Sequence, residues 1–157
     1  MGIETERKFL VDHTKWEQLE KPAGIHYRQG YILNSKTETV RVRVSDKQAH
    51  LNLKGQATGI SRKEYEYEIP LSEGLEILDA FAKSGTEKVR FCINYKGKVW
   101  EVDVFKGDNA GLIVAEIELE SEDESFEKPD WVTSEVTDDG RYSNASLSTY
   151  PFKDWKK

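Results

Sequence analysis

Acidic and basic side chains alternate along one short segment near the start of the chain. The segment reads "IETERKFLV", residues 3–11, and places Glu4, Glu6 and Lys8 at every second position. Because successive side chains of a β-strand point to opposite faces, a strand here carries all three on one face. Carboxylate oxygens suit a hard divalent cation, and ammonium groups suit phosphate. Such a face could hold a metal ion together with a polyanion.

The same alternation recurs along most of the chain and predicts eight strands. They cover residues 3–11, 26–33, 38–46, 49–55, 61–69, 86–95, 98–106 and 113–120. The polar faces of these strands carry Glu4, Glu6, Lys8, Arg41, Arg43, Asn52, Lys54, Arg62, Glu64, Glu66, Glu68, Lys88, Arg90, Glu101, Asp103, Glu116, Glu118 and Glu120. The second strand is ambiguous, because Arg28 falls on one face and Gln29 and Tyr31 on the other.

The two signs of charge are segregated among these strands. Basic side chains concentrate on 38–46, 49–55 and 86–95, and acidic ones on 98–106 and 113–120. A surface selected for solubility alone would intersperse them. Arg41 and Arg43 lie two residues apart on one strand, about 6.5–7 Å from each other, and repel unless an anion lies between them. Phosphate meets this need, because a guanidinium group binds it with two hydrogen bonds.

The acidic strands require a complementary partner. Glu116, Glu118 and Glu120 would repel one another strongly in an enclosed space, and a divalent cation would relieve that repulsion. Oxygen ligands favour Mg²⁺ or Mn²⁺ over Zn²⁺. The three histidines are scattered, at positions 13, 26 and 50. The sequence therefore predicts a magnesium or manganese cofactor.

Two architectures satisfy the alternation. In one, the apolar face forms an ordinary core and the charged face meets water, as in many antiparallel sheets. In the other, the sheet closes with its charged face inward, and helices cover the apolar face. Predicted helices cover residues 14–19 and 72–83, with weaker candidates at 122–127 and 141–148.

Composition narrows the functional classes. A length of 157 residues predicts one domain, residues 1–157, and a net charge of −6 argues against nucleic acid as a partner. The single cysteine, Cys92, fits a reducing compartment, and no apolar stretch reaches the length of a membrane span. We therefore expect a cytoplasmic protein with no membrane partner. The chain contains no phosphate-binding loop of the GxxxxGK[ST] type, and no histidine is evidently paired with Cys92.

A family resemblance favours the closed architecture. "IETERKFLV" resembles the ExExK motif of the CYTH superfamily, the triphosphate tunnel metalloenzymes. The matching segments that follow, in family order, are "TVRVRVS", "LNLKG", "SRKEYEYEI", "EKVRF", "WEVDVFKG", "AEIELESED" and "EVTDDGRYSNASLS". The resemblance implies an α+β protein, mainly β: a closed eight-stranded antiparallel β-barrel that forms a charged tunnel, with a few helices packed outside.

The resemblance also implies roles for individual residues. Triphosphate binding falls to Lys8, Arg41, Arg43, Lys54, Arg62, Lys88, Arg90 and, more loosely, Arg141. The residues implied as ligands of Mg²⁺ or Mn²⁺ are Glu4, Glu6, Glu64, Glu66, Glu101, Asp103, Glu116 and Glu118. Catalysis falls to Lys8, Glu4, Glu6 and Lys88.

The implied reaction is hydrolysis of the terminal phosphate of inorganic tripolyphosphate, as in the short bacterial members, with a homodimer as a possible assembly. Alternatives within the family are a thiamine triphosphatase and a class IV-type adenylate cyclase. A different class is a noncatalytic module that binds polyphosphate or nucleotide. Base recognition would need an aromatic subsite, for which the candidates are Tyr27, Tyr31, Tyr142 and Trp155; each is equally a packing residue.

Overall fold

The computed structural model describes residues 2–155, and most of this chain is β-structure. The strands are β1 (Ile3–Val11), β2 (Ile25–Asn34), β3 (Glu38–Val44), β4 (Ala49–Gly55), β5 (Ser61–Ile69), β6 (Ser84–Tyr95), β7 (Lys98–Phe105), β8 (Ile113–Glu118) and β9 (Val132–Glu135). The α-helices are α1 (His13–Gln18), α2 (Leu71–Phe81) and α3 (Asn144–Thr149). Single 3₁₀ turns lie at Gly107–Asn109, Gly140–Tyr142 and Phe152–Asp154.

The first eight strands close into an antiparallel barrel in the order β5-β4-β3-β2-β6-β7-β8-β1, and β1 pairs back onto β5. Closure depends on β1, whose first residues pair with β5, Glu4 lying opposite Arg62. Further along, β9 takes over that edge of β1, with Val11 opposite Val132. The predicted closed barrel is confirmed, with β9 as an additional, unpredicted strand. The weak helix predicted at 122–127 is wrong: this segment is turn and irregular coil.

The apolar core lies on the outside of the barrel. Phe9, Trp100 and Ile117 are almost fully buried there, beneath Trp16 of α1 and Trp131 before β9. The Phe9 and Trp100 rings meet edge to face, with their centroids 5.5 Å apart. Burial of apolar surface outside the barrel leaves the opposite strand faces free to carry charge.

Helix α2 covers a second part of the outer surface. It packs on Val42 and Val44 of β3 and on Ala49 of β4. Gly74 makes this close approach possible, because a Cβ atom added there would lie 2.3 Å from the Cβ of Ala49. Within residues 2–155, no helix is long and apolar enough to span a membrane.

At one end of the barrel the inward-facing side chains are apolar instead of charged. Two residues beyond Lys8, Asp103 and Glu116 on their strands, the inward positions are Leu10, Phe105 and Val114. These apolar residues pack with Leu147 of α3 and with Trp155. An apolar plug therefore closes this end of the barrel.

Candidate active site

A cavity of about 180 Å³ lies inside the barrel, and its wall is almost entirely charged or polar. Every residue predicted for catalysis, substrate or metal lines it, except Lys88, Asp103 and Arg141. The lining residues are Glu4, Glu6, Lys8, Tyr31, Thr39, Arg41, Arg43, Asn52, Lys54, Arg62, Glu64, Glu66, Arg90, Glu101, Glu116, Glu118, Ser143, Asn144 and Ala145.

The pairing of β1 with β8 places the side chains of the ExExK motif beside acidic residues of β8. On the β8 side of β1, Glu6 lies opposite Glu118 and Lys8 opposite Glu116. The Lys8 Nζ lies 3.1 Å from Glu6 Oε1. Burial opposes the charge of Lys8, but Glu6 and Glu116 raise its pKa well above the ordinary value. Lys8 therefore remains a cation inside the cavity.

The acids of β1 and β8 crowd one another. Burial and the nearby charge of Glu6 raise the pKa of Glu116, and Glu6 accepts a hydrogen bond from it. A hydrogen bond between two carboxyl groups requires that one of them be protonated. Burial and four neighbouring acids, first Glu4, also raise the pKa of Glu118. This side of the cavity therefore carries more negative charge than its own cations neutralise.

A second group of charges lies where β1 meets β5. The Lys54 Nζ lies 3.1 Å from Glu4 Oε1 and 3.5 Å from Glu64 Oε2. Arg62 Nε lies 3.3 Å from the same oxygen of Glu4. Burial would raise the pKa of Glu4, but Lys54 and Arg62 lower it below the ordinary value. Glu4 is therefore ionised, and both of its oxygens are already engaged by cations.

Arg41 and Arg43 form the basic side of the cavity. The Arg43 Nη2 lies 3.1 Å from Glu66 Oε2, whereas Arg41 forms no ion pair with any residue in 2–155. The Nε groups of both arginines are buried without a hydrogen-bond acceptor in that range. Burial and the charges of Arg41 and Arg90 lower the pKa of Arg43. An excess of positive charge therefore faces the cavity here, as the repulsion argument predicts.

Lys88 and Asp103 lie behind the cavity wall, and both are fully buried. The Lys88 Nζ lies 2.7 Å from Asp103 Oδ2. Burial opposes ionisation of Asp103, but Arg90 and Lys88 hold its pKa well below the ordinary range. Burial and repulsion from Arg90 lower the pKa of Lys88 to about 7. In this arrangement Asp103 supports Arg90, because its oxygens are occupied by the two basic side chains.

Arg141 lies outside the cavity lining. Its Nη2 is 2.7 Å from Asp139 Oδ2, and its guanidinium lies over the Trp155 ring at 4.7 Å. Tyr142 and Trp155 pack against each other at the closed end. Tyr31 is the aromatic candidate that lines the cavity, and Tyr27 stacks on Arg43, its ring centroid 4.8 Å from the guanidinium carbon.

Several lining residues escaped the sequence prediction. Thr39 shares the strand parity of Arg41, so the alternation alone could have identified it. Tyr31, by contrast, was already a candidate for an aromatic subsite, although it lies on the strand whose faces were ambiguous. Ser143 and Asn144 reach the cavity from the start of α3, where no strand periodicity applies. Only the tertiary packing of α3 against the barrel reveals them.

Metal ligands are not gathered into a preformed cluster: within residues 2–155, no three acidic, histidine or cysteine side chains form a group that could hold an ion. The donor chemistry nevertheless fits a hard cation. Glu6, Glu116 and Glu118 lie around one part of the cavity, and two of them have raised pKa values. Mg²⁺ or Mn²⁺ at this place would relieve their mutual repulsion.

Comparison with known proteins identifies the family. A model of the CYTH domain matches residues 2–149 of the chain. The chain belongs to the CYTH family. The inorganic triphosphatase of Acetivibrio thermocellus is 49% identical to this CYTH chain over the full length of both proteins. The inorganic triphosphatase of Nitrosomonas europaea is 34% identical, over 92% of this chain and 96% of that protein.

The solved structures include the same fold. A crystal structure of an inorganic triphosphatase aligns with a TM-score of 0.64 and 30% identity. The alignment covers 92% of this CYTH chain and 93% of the solved one.

Proposed function

We propose that this CYTH chain hydrolyses inorganic triphosphate, releasing its terminal phosphate inside the barrel. One observation carries the proposal: a narrow cavity holds an unpaired buried arginine on one side and crowded carboxyl groups on the other. A phosphate chain bridged to divalent metal satisfies both sides at once. The full-length relatives named inorganic triphosphatase support this substrate class.

The cations of the cavity would hold the phosphate chain. Arg41 has no competing partner within residues 2–155, and Arg43 keeps a free Nε. Arg90 is fixed by its contact with Asp103, so its remaining Nη1 is presented towards the cavity beside Glu101, at 3.4 Å. Lys8 and Arg62 would contact phosphate from β1 and β5. These groups neutralise the charge of the phosphate oxygens as the terminal bond breaks.

Glu6, Glu116 and Glu118 are the residues that would hold Mg²⁺ or Mn²⁺, with Glu4, Glu64 and Glu101 near them in the lining. The metal, when bound, would supply charge neutralisation at the phosphate oxygens. Of the acids predicted as ligands, Asp103 lies behind the cavity wall and is bound to Arg90 and Lys88, and Glu4 is bound to Lys54 and Arg62.

Hydrolysis requires a water molecule aligned with the terminal phosphorus and a group that accepts its proton. Glu6 is ionised and so available to accept it, because Lys8 and Glu116 lower its pKa against the effect of burial. Its 3.1 Å contact with Lys8 Nζ fixes the carboxylate in the cavity. Lys8 would stabilise the negative charge of the terminal phosphoryl oxygens while the bond to the leaving diphosphate breaks.

Phosphate release from tripolyphosphate tests this proposal. We expect release with Mg²⁺ or Mn²⁺ and little without metal, and slower release from ATP or thiamine triphosphate. Lys8→Ala should lose most activity, while Arg7→Ala should keep it, because Arg7 lies on the opposite face of β1 and pairs with Glu135. Tight tripolyphosphate binding without turnover would contradict the proposal and favour a binding module. Cyclic AMP from ATP would favour a cyclase.

A further inference from the structure

The side chain of Asn144, the first residue of α3, connects this helix to strands β2 and β6. It lines the cavity, yet its Oδ1 also reaches behind the cavity wall. Gln29 Nε2 donates to this oxygen at 2.9 Å, and Lys88 Nζ donates to it at 3.3 Å. Sequence patterning had assigned no role to Asn144.

These two contacts fix which way the amide points. A lysine ammonium can only donate, so Lys88 Nζ identifies the oxygen side of the Asn144 amide. The Gln29 amide is oriented to match, and its own Oε1 is left buried without a partner within residues 2–155. Gln29 is itself held, because its Nε2 also donates to Thr86 Oγ1 at 3.0 Å. Gln29 and Lys88 are almost fully buried, so neither can easily move away. The Asn144 Nδ2 is therefore directed away from both donors.

The Nδ2 group has no acceptor within residues 2–155. Asn144 is half-buried, between the polar cavity and the apolar plug. A half-buried donor without a partner is costly unless water or a ligand accepts from it. The ligand expected in this cavity is a chain of phosphate oxygens, which are strong acceptors.

We infer that Asn144 is a substrate-binding residue, whose Nδ2 donates a hydrogen bond to a phosphate oxygen at the plugged end of the cavity. This inference rests on the proposed function. The oxygen of the same amide is held by Lys88 and Gln29, so the donor is preorganised before substrate arrives. Because α3 carries Asn144, the position of this helix sets the depth to which a phosphate chain enters.

Three variants distinguish this role from a structural one. Asn144→Asp keeps an acceptor for Lys88 and Gln29 but replaces the donor by an anionic oxygen. Asn144→Ala removes both groups. Asn34→Ala is the matched control, because Asn34 Nδ2 donates to Ala145 O at 3.0 Å and so holds α3 from outside the cavity lining. A charge-assisted hydrogen bond of about 1.5–3 kcal/mol corresponds to roughly 10- to 150-fold in affinity.

The order of the variants is decisive. We expect KM for tripolyphosphate to rise least for Asn34→Ala, by at least tenfold for Asn144→Ala, and most for Asn144→Asp, whose carboxylate repels phosphate. If Asn144 only positions Lys88, Asn144→Asp should have a KM close to that of the wild type and lower than that of Asn144→Ala. That result would overturn the inference. Calorimetric titration with tripolyphosphate in the absence of metal gives the same comparison without turnover.

Failure of this inference differs from failure of the proposed function. A wild-type protein that neither binds nor hydrolyses tripolyphosphate contradicts the proposed function. A wild type that hydrolyses tripolyphosphate while both Asn144 variants match it contradicts the role of Asn144 alone. If Asn144→Asp does not fold, as judged by its thermal melt, the Asn144→Ala and Asn34→Ala pair still decides: equal KM values overturn the inference.

Discussion

The guanidinium of Arg90 donates two hydrogen bonds to the carboxylate of Asp103, with Nε 2.8 Å from Oδ1 and Nη2 3.0 Å from Oδ2. The two residues are paired across β6 and β7. Lys88 occupies the remaining side of Oδ2 at 2.7 Å. Asp103 therefore determines where the Arg90 guanidinium can lie, although it does not itself line the cavity.

Removal of the Asp103 charge should strongly destabilise the protein. Asp103→Asn leaves Lys88 buried without an ion-pair partner within residues 2–155 and leaves Arg90 with Glu101 alone. Loss of one partner of a buried ion pair typically costs about 3–5 kcal/mol in the free energy of unfolding. Urea unfolding of the variant measures this loss. Glu135→Gln is the control, because it breaks the Arg7–Glu135 pair on the outside of the barrel, where an ion pair contributes less than about 1 kcal/mol. Equal losses in the two variants would contradict the central role of Asp103.

The stabilising effect of Asp103 should depend on pH with a defined sign. Arg90 and Lys88 hold the pKa of Asp103 below its ordinary range against the effect of burial. A carboxyl group whose pKa is lowered by folding stabilises the protein above the pKa of the unfolded chain, about 3.9, and loses this effect as pH falls further. The stability difference between wild type and Asp103→Asn should narrow as pH falls below about 4. A difference that is unchanged at pH 3 would rule out ionisation as its cause.

Arg41 should oppose stability while it supports binding. It is 7% exposed and forms no ion pair within residues 2–155. Arg41→Met removes this uncompensated charge and keeps an unbranched apolar side chain. The ligand-free variant should therefore melt above the wild type, by about 2–4 °C for each 1 kcal/mol gained. The same variant should bind tripolyphosphate at least tenfold more weakly.

Calorimetric titration and thermal melts measure both effects of Arg41→Met. Arg43→Met provides the comparison, because Arg43 already pairs with Glu66 and its loss leaves that carboxylate without a partner. Arg43→Met should therefore weaken binding without raising the melting temperature. A melting temperature for Arg41→Met below that of the wild type would show that another group compensates Arg41.

Much of this fold follows from strand periodicity. The family resemblance indicated which strand face points inward, and the alternation of polar and apolar residues separated the two faces correctly on β1 and β3 to β8. The alternation gave no assignment for β2, where Gly30 and Arg28 break the pattern. In the structure Tyr31 points inward and is buried.

The remaining features depend on contacts between distant segments. Strand β9 has four residues, too few to show periodicity, and exists because it pairs with the free edge of β1. Lys88 and Asp103 lie on the same strand faces as the lining residues. However, the apolar plug at their end of the barrel places them behind the cavity wall. Arg141 pairs locally with Asp139, and it is the packing of its guanidinium over the ring of Trp155 that involves a distant segment. No local pattern contains this information.

Glu116 should couple metal affinity to pH. Burial and the charge of Glu6 raise its pKa, so protons compete with metal at this carboxylate at a higher pH than at an ordinary glutamate. Mg²⁺ affinity should therefore fall as pH decreases, and the fall should begin at a higher pH than the ordinary glutamate pKa of 4.5 would give. Glu116→Gln should weaken Mg²⁺ binding and flatten this pH dependence, because its amide cannot ionise. It should also stabilise the metal-free protein, since it ends the repulsion with Glu6.

Glu68→Gln is the matched control for the Glu116 experiment, because Glu68 has the same strand parity as the lining acids but is exposed outside the cavity lining. Calorimetric Mg²⁺ titrations of the wild type and both variants at several pH values measure the effect. The expected pattern is unchanged affinity and pH dependence in Glu68→Gln, and reduced affinity in Glu116→Gln. Wild-type Mg²⁺ affinity in Glu116→Gln would remove Glu116 from the set of metal ligands and leave its raised pKa as a consequence of crowding alone.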